Sequence, residues 1–134
     1  MRPWWRHNAM HGLVGFVAMG GWAALANRAF GPTEMVQAGL IQGALSALLT
    51  LYLKRVVEHL NRRLAGPARW WCPPLVAVSG SATLLTAIHW WAGTPALLTT
   101  LALPLAVSSS YVVIYNLLLI RQHPTSPHDK DATP

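Results

Sequence analysis

Four side chains stand where an apolar run meets its end: Lys54 and Arg55 in "LTLYLKRVVE", and Asn116 and Arg121 in "VVIYNLLLIR". Two or three cations with an amide beside them suit a phosphate group, because charge-assisted hydrogen bonds are about twice as strong as neutral ones. No other familiar chemistry is written in the chain. It lacks a Ser-His-Asp set, an HExxH, a phosphate loop and an aspartate cluster. The single cysteine, Cys72, excludes an intramolecular disulfide and a Cys-rich metal site. The expectation is a protein that binds rather than catalyses, with no metal and no cofactor.

The elements that must position these residues follow from charge. Only 10% of the chain is charged and 53% is hydrophobic, against about a quarter charged in a soluble domain. His7 to Asn27, Met35 to Leu53 and Trp70 to Ile120 contain no Asp, Glu, Lys or Arg. A bilayer crossing takes roughly 20 mostly apolar residues. The first two runs have room for one crossing each. The third has room for two, broken at "WWAGTP" by Gly93 and Pro95. The expected fold is all-α integral membrane, with helices at about 11–29, 35–54, 74–91 and 96–120. Six of the seven tryptophans form adjacent pairs, Trp4-Trp5, Trp70-Trp71 and Trp90-Trp91, each flanking an expected helix end. Indole rings favour the headgroup level. Trp22, inside helix 1, is expected to pack on a neighbour. Pro73 and Pro74 suit a first helical turn.

Orientation follows from lysine and arginine. Arg2 and Arg6 precede helix 1, Lys54, Arg55, Arg62, Arg63 and Arg69 join helices 2 and 3, and Arg121 closes helix 4. Both termini and residues 54–69 are therefore expected inside. The net charge of +6 follows from this distribution and favours anionic lipid; with no soluble basic domain, nucleic-acid binding is not expected. The basic start, apolar run and Ala24-Leu25-Ala26 also resemble a signal peptide, but helix 1 is needed to complete the pairing of helices, and we read it as retained.

A shift of 62 residues lays Leu13-Val14 on Leu75-Val76, Gly31 on Gly93, Ala44 on Ala106 and Ser46 on Ser108. Helix ends and turns coincide as well, so the chain reads as two tandem helical hairpins, a design known among transporters. "GLIQG", Gly39 to Gly43, lets helix backbones approach, either within one subunit or across a homodimer. Residues 54–69 place Val56, Val57, Leu60 and Leu64 on one helical face, with the basic residues toward headgroups. Residues 1–122 form the expected membrane domain, and the Pro-rich residues 123–134 a disordered cytoplasmic tail.

Polar residues at membrane depth are functional candidates by default. Gln42, Ser108, Tyr111 and Tyr115 are the expected lining of a polar crevice, with Pro104 kinking helix 4 and the serines beside it satisfying freed carbonyls. Asn27, Gln37, His11 and His89 complete the set. Glu34 falls at the outer boundary and Glu58 in the inner loop, so no carboxylate is expected in a helix centre. His11 and His89 belong to opposite faces of a core about 30 Å thick, which excludes paired haem ligation within one subunit. Lys54 falls on Asn116 under the 62-residue shift, and both belong at the inner headgroup level. Lys54, Arg55, Asn116 and Arg121 are the expected lipid-phosphate site, although the positive-inside rule alone also accounts for the cations.

"VSGSATLLTAIHWWAG" and "AGTPALLTTLALPLAVSSSYVVIYNLLLIR" resemble helices 3 and 4 of the GtrA-like family of small four-helix membrane proteins in length, turn and polar ending. The resemblance spans most of residues 12–121. Lys54 stands where that family has Asn, Leu51 where it has Phe, and Leu117 where it has Arg. The resemblance implies a bacterial inner-membrane flippase, or flippase subunit, for a polyprenyl-phosphate-linked sugar, with a membrane glycosyltransferase as possible partner. Two other readings stay open: a dimeric exporter of flat cations, and a subunit that scaffolds a larger complex through Gly39 and Gly43.

The orientation has a direct check. In a Cys72→Ser background, a cysteine at Thr33 or Thr94 should react with an impermeant thiol reagent from outside, and Arg62→Cys should not. Outside labelling of Arg62→Cys overturns the orientation.

Overall fold

The computed structural model describes residues 4–124, with side chains from residue 9 onward. The side chains of Trp4, Trp5 and Arg6, the whole of Arg2 and most of the expected tail lie outside them. The described residues form four α-helices, α1 (Trp4–Ala26), α2 (Pro32–Arg63), α3 (Ala68–Trp91) and α4 (Leu97–Gln122), with a short 3-10 turn at Arg28–Phe30. Each α-helix is long and apolar enough to cross a membrane. On α3 the exposed pairs Trp70-Trp71 and Trp90-Trp91 are 20 residues apart, about 30 Å at the helical rise and equal to the thickness of a hydrocarbon core.

The element boundaries differ from expectation for local reasons. α1 stops at Ala26 rather than residue 29 because the Asn27 side chain turns back on its own helix: its amide donates to the Ala23 carbonyl at 2.8 Å. Gly31, at φ 121°, makes the following turn in a region closed to other residues. Pro32 then opens α2 three residues earlier than expected, with Glu34 in a first turn that favours acidic side chains. At its other end α2 does not stop at Lys54. It continues to Arg63, so residues 54–63 extend a membrane helix instead of forming a separate surface helix. No Gly or Pro interrupts the chain between Gly43 and Gly66, and Leu53 and Val57 stay in register, buried against Ala77 of α3 and Val112 of α4. Gly66, at φ 64°, makes the connection, and α3 begins at Ala68. Pro73 and Pro74 therefore lie inside α3 and not in its first turn.

α2 is the hub. It packs on each of the other three helices, whereas α1 and α3 do not meet among the described residues. Its contact with α1 is a glycine seam. A Cβ added at Gly20 would stand 2.7 Å from the Gly39 carbonyl oxygen, and one at Gly43 would stand 2.9 Å from the Phe16 ring. Such approach is open only to glycine, so Gly39 and Gly43 are filled by α1 of the same chain and do not present a free face. A second layer, Leu45, Leu49, Leu85 and Leu101, joins α2, α3 and α4.

Adjacent glycines on α1 separate packing from helix propensity. Gly20→Ala should destabilise by about 1–3 kcal/mol through overpacking. Gly21, where an added Cβ meets nothing within 4 Å, should gain about 0.5–1 kcal/mol as alanine. Thermal unfolding in mild detergent reads both. Equal shifts would mean that the α1–α2 seam does not hold the bundle.

Candidate functional site

Buried polar side chains cluster toward opposite ends of the bundle. At the first end, separate groups of hydrogen bonds between them reach all four helices. His89 on α3 is fully buried, with Nε2 2.9 Å from Gln42 Oε1 and Nδ1 2.9 Å from the Thr94 hydroxyl. The amide oxygen accepts, so Nε2 carries the proton and Nδ1 accepts from Thr94. Gln42 donates in turn to Ser46 at 3.1 Å. Beside it, Asn27 donates to Thr100 at 2.7 Å and accepts from the Ala96 backbone N–H at 3.0 Å. The Trp22 indole donates to the Thr99 carbonyl at 2.9 Å, which docks α1 on α4. Every partner here is internal, so this network fastens one end of the bundle. Gln42 and His89 are the cross-pieces. Thr33 is exposed and is a better labelling position than Thr94, which holds His89.

The second network begins with the two prolines. In an α-helix the N–H of residue i bonds to the carbonyl of residue i−4, and proline has no N–H. Pro73 and Pro74 thus leave the carbonyls of Arg69 and Trp70 without helical partners. The buried side-chain amide of Asn116 on α4 takes both, at 3.1 Å each. Its oxygen accepts from Asn61 of α2 at 2.7 Å. Asn61 then accepts from Arg69 Nε at 2.8 Å, and Arg69 Nη1 donates to the His123 carbonyl at 2.8 Å. Arg69 is only 8% exposed. Three helices thus meet around one buried guanidinium. A pocket of about 240 Å³ opens over it, lined by Gly66, Arg69, Trp70, Ile120 and Pro124.

The expected site residues are divided among several places. Asn116 is in the second network, as a structural amide facing Asn61. Lys54 and Arg55 are exposed on α2, seven and six residues before Asn61, or about 10 Å along the helix. Arg121 is exposed at the end of α4. The expected crevice residues do not converge. Gln42 bonds His89, whereas Tyr115 donates to Glu58. Those two positions of α2 are 16 residues, about 24 Å, apart along its axis. Ser108, Ser109 and Ser110 donate to the carbonyls of Pro104, Leu105 and Ala106 in their own helix, and not to the carbonyl that Pro104 frees one turn earlier. Tyr111 stacks on Tyr115 with ring centres 5.7 Å apart. Glu58 lies on α2 and not in a loop; Arg62 approaches it only to 3.9 Å.

Sequence reasoning missed Asn61 and undervalued Arg69. The available signal was the Pro-Pro pair: two lost helical bonds in an apolar segment demand a donor from elsewhere. Comparison with family models, curated proteins and solved structures finds no match to this chain.

The proline argument makes a rescue prediction. Asn116→Ala leaves two carbonyls and the Asn61 amide unpaired, at about 1–3 kcal/mol for each buried group. Adding Pro73→Ala and Pro74→Ala returns helical N–H donors to those carbonyls and should recover much of the loss in thermal stability. No recovery would mean that Asn116 does not act by replacing the proline-deleted bonds.

Proposed function

We propose that this chain is a small multi-pass membrane protein that binds a polyprenyl-phosphate-linked sugar and helps it cross the membrane, as a flippase or as a flippase subunit beside a membrane glycosyltransferase. In this reading the four helices form two tandem hairpins with both termini inside a bacterial inner membrane. The observation that carries it is Arg69: a buried cation, held by Asn61 and facing a small pocket at the end of the bundle. A buried guanidinium in a membrane protein is costly and is a functional candidate by default. Its planar fork suits phosphate. Lys54, Arg55 and Arg121 act outside this pocket, as an exposed cationic surface that gathers anionic headgroups. No covalent step is needed.

Glu58 supports a second reading, export of a cation. Its carboxylate accepts from Tyr115, and the parallel Tyr111–Tyr115 pair beside it is the kind of aromatic face that attracts flat cations. The scaffold reading loses its proposed surface, because Gly39 and Gly43 are covered by α1.

The test is lipid retention in native mass spectrometry, with a polyprenyl phosphate added to the full chain in mild detergent. Arg69→Ala should cut retention roughly tenfold or more, the equivalent of about 1.4 kcal/mol. Lys54→Ala and Arg55→Ala should each cost roughly fivefold, from about 1 kcal/mol per cation at an anionic surface. Arg62→Ala should have little effect. Equal losses from all four would mean diffuse electrostatics; no loss from any removes the phosphate reading. Cation-dependent tryptophan quenching that disappears in Glu58→Gln favours export instead.

A further inference from the structure

Arg69 makes two bonds of different kinds. Its Nε is fixed by Asn61 Oδ1 at 2.8 Å, inside the bundle, and its Nη1 donates to the His123 carbonyl at 2.8 Å, at the end of α4. The second bond caps a helix. The last carbonyls of a helix have no internal donor and carry its negative dipole end. Arg69 brings that end of α4 both a donor and a positive charge. The His123 N–H closes the last turn on the Leu119 carbonyl, and Pro124 follows as one wall of the pocket over Arg69. The wall before it is firmly held: Ile120 is buried, and Asn116, one turn earlier, is bonded to α3. Residues 121–124 are all exposed. Among the described residues, the bond from Arg69 is the one side-chain hydrogen bond that ties this stretch to the bundle.

We infer that Arg69 is a latch on the end of α4: an anion that enters the pocket takes Nη1 from the His123 carbonyl and frees the chain after Ile120. The latch rests on the phosphate reading above for the presence of an anion, and adds what the arrival of that anion does. The competition for Nη1 is unequal. Hydrogen bonds to an ionised acceptor are roughly twice as strong as those to a neutral carbonyl. The anion and the negative end of α4 also repel each other across one guanidinium. Asn61 keeps Nε in place, so the guanidinium cannot follow the carbonyl as it leaves. The pocket of about 240 Å³ has room for several waters at ~30 Å³ each, so a phosphate ion can enter before Pro124 moves. The stretch released is one exposed turn with few buried contacts, the kind of element that opens at low cost. Occupancy of the pocket is thereby converted into order or disorder at the end of α4. In the proposed orientation that end faces the inside.

The test titrates inorganic phosphate into the full-length protein in mild detergent, with sodium chloride at matched ionic strength as control. A nitroxide label goes on His123→Cys in a Cys72→Ser background. Only the backbone carbonyl of His123 meets Arg69, so the substitution keeps the bond. Phosphate should make the fast-motion component of the label's spectrum the major one. A label on Ser110→Cys, at an exposed position in mid-α4, should not respond. Trypsin cleavage after Arg121 should quicken roughly tenfold over the same titration, because cleavage tracks the population of the opened end. Arg69→Lys, which lacks the fork, should give a mobile label without phosphate and little further change on adding it. The phosphate titration itself needs no Arg69 variant, so it decides the matter even where that variant does not fold. A thermal midpoint that rises with phosphate while label and cleavage stay unchanged overturns the latch and leaves the phosphate reading standing. No effect of phosphate on midpoint, label or cleavage overturns both. Equal effects from chloride show charge screening alone and overturn the latch.

Discussion

Two backbone carbonyls with no helical donor set the constraint on which one end of this molecule depends. Pro73 and Pro74 sit side by side inside α3, and the carbonyls they leave open, those of Arg69 and Trp70, face the bundle instead of water. In a low-dielectric interior such groups must find a donor. Asn116 supplies it from α4. Because an amide has an oxygen as well as a nitrogen, meeting that demand recruits Asn61 from α2, and Asn61 recruits the Arg69 guanidinium. A defect in one helix thereby sets the relative positions of three.

The consequence for function lies in Arg69. Alone on a membrane helix, a guanidinium snorkels toward the headgroups. Here its Nε is held by Asn61, so the group stays at the end of the bundle, next to Trp70 and below the pocket at Gly66. Preorganisation of this kind lowers the ordering cost of binding an anion. The exposed cations on α2 differ in kind. Lys54 and Arg55 are exposed, and no hydrogen bond among the described residues holds either in one place. The same polar chain therefore has one end closed between helices, at Asn116, and one end beside a pocket, at Arg69.

α2 makes both networks possible. Its glycine seam brings α1 close enough for backbone contact, its leucines and Val57 build the two apolar clusters with α3 and α4, and its polar residues, Gln42 and Asn61, each lie fully or nearly fully buried. Hydrogen bonds between membrane helices are individually modest, averaging about 0.6 kcal/mol. Gln42 and Asn61 therefore serve less as glue than as register marks, 19 residues apart on α2, that fix how α3 slides along it.

The sequence by itself determined the four helices long and apolar enough to cross a membrane, the loss of charge that marks them, and the exposed tryptophan pairs at either end of α3, because hydropathy acts on each segment independently of its neighbours. It also carried the close approach at Gly39 and Gly43, since small residues at that spacing serve any packed helix. It did not determine which helix fills that seam, how far α2 runs, or where its polar residues go. Lys54 and Asn116 coincide under an internal repeat, yet one faces outward and the other is buried, because exposure depends on helix rotation in the assembled bundle. The length of α2 past Lys54 depends on Leu53 and Val57 finding Ala77 and Val112. Asn61 and Arg69, unremarkable in a basic stretch of sequence, became the centre of a site only when tertiary packing brought Asn116 and the proline-freed carbonyls to the same level. Hydrogen bonding at that level is a property of three helices at once, and no one segment encodes it.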